Sequence, residues 1–341
     1  MNVKFRVTVK ILASLLVFVM LFLALEQLLV PKYTDSVYEG QLIQEYYDSD
    51  QNNQVLFIGD CEVYENFSPI TLWEEYGITS YIRGGPQQLI WQSYYLLEDT
   101  LQYETPDVVV FNVLSMKYDE PQSEAYNRLN IDGMEFSQSK IDAINASMTE
   151  EESFSSYIFP ILRYHDRITE LTWDDFIYYF DTPTISYNGY LMQTDVKAVE
   201  VIPEGTALAS YEFGETSYMY LDMITELCTE NDIELILIKA PSIYPYWYEQ
   251  WDEQMVEYAA ENELLYINFL DYVEEIGIDY QTDTYDSGLH LNVYGAEKMS
   301  DYFGEILQSE YGLENLSDDE EISNYWESLV ESYYQERNEG T

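Results

Sequence analysis

Val55-Leu56-Phe57-Ile58-Gly59-Asp60-Cys61 decides the reading of this chain: four apolar residues, a Gly-Asp turn, then a thiol. An apolar run of that length bounded by a turn is the pattern of a strand buried on both faces. Such strands build parallel sheets, whose sites gather at the carboxyl ends of the strands, where Cys61 stands. Far downstream, Tyr285-Asp286-Ser287-Gly288-Leu289-His290-Leu291-Asn292 holds one of only two histidines, with a carboxylate four residues before it. A nucleophile on a sharp turn and an imidazole beside a carboxylate are the parts of an acyl-transfer site.

The rhythm set by Val55–Ile58 continues outward. Thr79–Ile82, Asp107–Asn112, Glu234–Lys239 and Leu265–Asn268 read as further buried strands. Helical patterns over Ile70–Tyr76, Gln88–Leu101, Tyr218–Glu230, Glu249–Glu261 and Val293–Gln308 alternate with them. Alternation of this kind predicts an α/β domain with a doubly wound parallel sheet, over residues 51–312. An insertion from 117 to about 215 interrupts it, with mixed helical stretches at Ser137–Ala146, Tyr157–Arg167 and Thr172–Phe180. Residues 313–341 read as an acidic tail with one amphipathic helix, Ile322–Tyr333. No internal repeat is visible.

Composition narrows the function classes. The chain has 341 residues, 64 acidic against 14 basic, and a formal net charge of −50. Such a surface repels nucleic acid and other polyanions. With 47% hydrophobic residues and 35 tyrosines the chain is no disordered polyanion. Two cysteines, Cys61 and Cys228, are too few for a disulfide scaffold, and a single bridge between them stays open. Residues 11–31 are largely apolar, with Glu26 as their one charge, and follow Lys4, Arg6 and Lys10 in a 1–10 cytoplasmic segment. About twenty residues at about 1.5 Å each span a hydrocarbon core. A cleaved signal peptide is the rival reading, but Glu26 spoils the small-x-small site it needs. The expectation is a retained anchor, a polar spacer over 32–50, and a bulk that faces outward.

The quoted residues resemble the SGNH (GDSL-type) hydrolase superfamily, in particular its membrane-anchored envelope branch of DltD-like and AlgX/AlgJ-like proteins. The resemblance covers roughly residues 54–115 and 218–308. It implies a three-layer α/β/α sandwich and ester hydrolysis or acyl transfer on an envelope carbohydrate or polymer. A membrane acyl-transfer partner and no cofactor are implied with it. Cys61 takes the position of the family's serine, Gly84 or Gly85 matches the oxyanion glycine, and Asn112 the oxyanion asparagine. The family's Asp-x-x-His is represented by Asp286 and His290, here four residues apart.

On this reading Cys61 is the nucleophile, its pKa lowered by the turn and a nearby imidazole, or else an inert buried cysteine. His290 is the base and Asp286 its orienting carboxylate, with Asp283 as the fallback. Asp60 is expected to hold the turn. Arg83, one of five arginines beyond the anchor, either contacts an anionic substrate group or pairs with an acidic neighbour. Arg163 and Arg167 share a helical face and should pair with carboxylates. Tyr244, Tyr246 and Trp247 suit a sugar platform or packing on the insertion. No metal is expected, because Asp279–Asp286 lacks the glycine and spacing of a calcium loop. A catalytically silent glycan-binding or scaffold protein of the same fold is the competing class.

Overall fold

The computed structural model describes residues 3–32, 37–49, 52–202 and 204–339. Residues 33–36 and 50 of the expected spacer lie outside this range. Five strands, β1 (Val55–Gly59), β2 (Ser80–Gly84), β3 (Val108–Asn112), β4 (Glu234–Lys239) and β5 (Leu265–Asn268), form one sheet. All four pairings are parallel, in the order β2-β1-β3-β4-β5. Chain direction through the sheet therefore reverses between β1 and β3, the switch point at which open α/β sheets form clefts.

Alternate residues of each strand feed two cores. Val55, Phe57, Val110, Ile236 and Ile238 pack beneath the helices Pro69–Tyr76 and Val293–Tyr311. Leu56, Ile58, Val109, Phe111 and Leu237 pack beneath Ile90–Thr100, Glu215–Glu230 and Glu249–Glu261. The helices start where the sequence supplies caps. The Ser68 hydroxyl accepts from the Thr71 N–H ahead of Pro69, and Asn292 accepts from the N–H groups of Tyr294 and Gly295.

One expectation is corrected here, and two features go beyond what was expected. Tyr157–Arg167 is not one helix but Phe154–Ile158, Ile161–Tyr164 and a 3-10 turn over His165–Thr169. Pro160 lacks the N–H a continuous helix needs. The insertion also holds a helix, Glu124–Ile131, that its sequence does not announce. The acidic tail is a docked helix, Glu320–Glu339, with Trp326 stacked on Trp73 at 5.3 Å between ring centroids. Arg337 and Tyr333 bind Glu297 across the same seam.

The N-terminal helix, Val3–Leu29, is long and apolar enough to cross a membrane, and it is exposed from Lys4 through Leu21. A membrane anchor and a signal sequence both have this form.

Candidate active site

β1 ends in Gly59, whose φ of +148° lies in the region that favours glycine. A Cβ there would stand 3.1 Å from the Asn112 side chain. The chain then turns into a short helix, Cys61–Tyr64, capped by Asp60, which accepts from the Glu62 N–H at 3.2 Å. Cys61 thus sits at a helix start beyond the strand end, half-buried, and both cysteines are free thiols. Cys228 lies in the helix Glu215–Glu230 within the opposite core, so the open question of a bridge closes.

His290 comes from a loop held in place at several points. The Thr284 hydroxyl donates to the His290 carbonyl and accepts from the Gly288 N–H, each at 2.7 Å. The Leu291 N–H donates to Asn66 Oδ1 at 2.7 Å, and Asn66 donates to the Ser242 hydroxyl after β4. The imidazole is fixed twice by Asp286. Its own backbone N–H reaches Oδ1 at 2.8 Å, and Nδ1 meets Oδ2 at 2.8 Å. The extra residue in the Asp286–His290 spacing therefore does not separate them.

A second carboxylate joins from the other segment. Glu65 Oε2 also lies 2.8 Å from Nδ1 and accepts from the Tyr285 hydroxyl at 2.7 Å. Sequence reading missed Glu65. Its signal was its place one helical turn past Cys61, on the same face. Nε2 makes no hydrogen bond of ordinary geometry. The Cys61 thiol and the imidazole are close enough to perturb one another.

The charges decide which protonation states rest here. Burial alone would lower the His290 pKa, but Asp286, Cys61 and Glu65 outweigh it and hold the imidazole protonated well above its ordinary 6.5. The Cys61 thiol is pushed up to about 11, first by burial and then by the Asp60 charge, against the smaller pull of His290. The expected low-pKa thiol is thus corrected. Three carboxylates, Asp60, Glu65 and Asp286, outnumber the single imidazolium and disfavour a further negative charge.

A titration follows from this. Folding raises the His290 value, so the folded chain keeps a proton that the unfolded chain has released. Its contribution to stability is complete below about pH 6.5 and fades as pH rises toward the folded value. Imidazole nitrogen NMR, assigned with His290→Gln, should find His290 protonated at pH 8. Glu65→Gln together with Asp286→Asn should bring its titration down into the neutral range. An imidazole already neutral at pH 7 in the native chain overturns the assignment.

The other expected site residues fall into two groups. Asn112 is buried at the end of β3 and gives its amide protons to Asp60 and Glu62, both at 3.0 Å. Its Oδ1 accepts from the Ala240 N–H, so it clasps the strand ends and has no proton left for an oxyanion. The Gly85 N–H points at the Gly59 carbonyl at 3.3 Å, and Gly84 is level with Gly59 in the sheet. The Cys61 backbone, at a helix N-terminus, is the remaining oxyanion candidate.

Arg83 is corrected as a substrate contact. It is buried, 3.0 Å from Asp99, and lies beneath the Tyr46 ring. Its fork is filled by Thr100 and the Tyr47 hydroxyl. Trp247 is likewise buried, against Phe213 and Trp251. Tyr244 and Tyr246 are 57% and 41% exposed on the loop after β4. That loop meets the histidine loop through the Ile243 N–H and the Gly288 carbonyl, at 3.0 Å. Asp283 faces Lys298 at 2.6 Å and plays no part at His290. Arg163 and Arg167 pair with the carboxylates Glu124 and Asp175, from two different elements and not from one helix.

Among the described residues, Glu65, Asp286 and His290 converge closely enough to hold a metal ion. Their 2.8 Å separations are those of Nδ1–H hydrogen bonds between protein groups. Below the thiol lies a group that sequence reading also missed. Lys239 is fully buried and donates to both Glu62 oxygens, at 3.0 and 2.9 Å. The chain matches no family model and no curated protein.

Proposed function

We propose that this chain is an SGNH-type acyl-ester hydrolase or O-acyltransferase with a cysteine nucleophile, anchored by its N-terminal helix and facing outward. The carrying observation is His290, fixed through Nδ1 by two carboxylates and close enough to the Cys61 thiol for the two to perturb one another. The two segments are 229 residues apart in sequence and meet at the sheet's switch point. An acyl ester of an envelope carbohydrate or polymer is the substrate class the sequence resemblance suggests, with Tyr244 and Tyr246 as exposed rings beside the site.

In the first step the Cys61 thiol gives its proton to solvent and the thiolate sulfur bonds to the acyl carbon, whose carbonyl oxygen becomes an oxyanion met by the helix-start amide. The ester C–O bond breaks, and the His290 imidazolium gives its proton to the departing oxygen. The neutral imidazole then takes a proton from water or an acceptor hydroxyl. That oxygen attacks the thioester carbon, the C–S bond breaks, and the Cys61 sulfur leaves as the thiolate beside the re-formed imidazolium. Glu65 and Asp286 stabilise the imidazolium between steps without taking its proton.

One observation favours a second reading. A thiol that ionises near 11 is mostly uncharged at neutral pH, as in a silent protein of this fold that binds glycan or scaffolds an acylation complex. Trapping separates the two. After incubation with activated acyl esters, intact-mass and peptide analysis should find an acyl group on Cys61 that hydroxylamine removes. Absence of any acyl adduct across a broad ester panel, with glycan binding retained, selects the silent reading.

A further inference from the structure

We propose that residues 159–180 rest on the bilayer surface beside the N-terminal helix, with Trp173 and Phe180 seated among the lipids. This rests on the retained-anchor reading of Val3–Leu29.

The helix Trp173–Tyr178 is built inside out. Trp173, Phe176, Ile177 and Phe180 fall at i, i+3, i+4 and i+7, so one apolar stripe runs through it and just past its end. The stripe faces outward, with Trp173 76% and Phe180 84% exposed. The inward residue is a carboxylate, Asp175, which accepts from Arg167 at 2.7 Å. A helix on a water-facing surface has the opposite arrangement. Leu162 and Ile168, on the preceding turns, are exposed as well. Continuous apolar exposure of this kind marks a face that something covers.

The attachment of this segment identifies the occupant. Arg167 Nη1 donates to the Leu29 carbonyl at 2.8 Å. Glu26 is buried against the Ile161 backbone. Tyr178 and Tyr179 line a cavity together with Val30, Pro31 and Lys32. The stripe is therefore pinned to the carboxyl end of the one helix, among the described residues, long and apolar enough to cross a membrane. When that helix spans a bilayer, the segment is carried to the outer interface, where aromatic rings concentrate.

The tryptophans supply a selective probe. Of the six, Trp73, Trp91, Trp247, Trp251 and Trp326 are buried, and the N-terminal helix has none. The full chain is reconstituted in liposomes whose acyl chains are brominated near the headgroup, and recovered by flotation. Wild type should show a partial loss of tryptophan emission that Trp173→Phe abolishes and Phe180→Asp reduces. Both positions are exposed, so folding should be unaffected. A chain that floats with the liposomes but shows no loss overturns the proposal and leaves the anchor intact. A loss unchanged by Trp173→Phe overturns it too. Trp173 unquenched by lipid yet shielded from iodide puts a protein on the stripe instead. A chain that does not float removes the anchor reading and the proposal together.

Discussion

Cys61→Ala and His290→Ala should each lower acyl-ester turnover by about a thousandfold or more, and the double variant should fall little further. The near-absence of an added loss is the informative part, because a thiolate and its imidazolium act as one unit. With the thiol gone no thioester forms. With the imidazole gone the departing oxygen leaves unprotonated, and the thiol loses the cation that draws its pKa downward. The pH profile carries a second expectation. Since the attacking species is the thiolate and its parent thiol ionises near 11, kcat/KM should climb through the neutral range toward that value. Cys61→Ser is more demanding. A hydroxyl needs a neutral imidazole as base, and the two carboxylates keep His290 charged. Serine should therefore be far less active than cysteine at neutral pH and regain ground as pH rises. Equal activity of Cys61→Ala and wild type on every ester tested removes Cys61 from the mechanism.

What the sequence made legible was the frame of this site. Three of the five strands span wholly apolar or nearly apolar runs, and β4 and β5 begin and end where their patterns do. Burial on both faces forces such runs, so they are visible without structure. Cys61, Asp286 and His290 were legible because turn chemistry and residue type single them out. Glu65 was not, since a place one helical turn past Cys61 does not by itself set one glutamate apart among 64 acidic residues. Its role exists only because a one-turn helix folds it back toward a loop 220 residues away. Arg83 misled for the reciprocal reason. A cation beside Gly84-Gly85 looks available, but strand alternation turns it onto the helix face, where Asp99 and two tyrosines enclose it. The tail helix was visible as an amphipathic pattern, but its seat on Trp73 depends on a surface assembled from distant segments.

Lys239→Met should destabilise the fold by about 3–5 kcal/mol, because it strands the Glu62 carboxylate in a fully buried position. Lys239 ends β4 and Glu62 follows Cys61, so this pair, with Asn112 and Asp60, ties the β1, β3 and β4 strand ends together beneath the thiol. Burial already raises the Glu62 pKa, with Lys239 and Asn112 opposing it. Removing the lysine takes away the larger opposing influence and raises the value further. The folded variant then binds a proton that its unfolded chain releases near 4.5, so its stability falls as pH rises above that value. The gap between wild type and variant should accordingly be wider at pH 8 than at pH 5. Lys239→Met combined with Glu62→Gln should recover most of the loss, since no buried charge is then left without a partner. Denaturant midpoints in detergent, read at both pH values for the three variants and wild type, measure all of this. A single-variant loss below about 1 kcal/mol, the range of exposed pairs, would mean that water reaches Glu62 and that the clasp beneath Cys61 is not sealed.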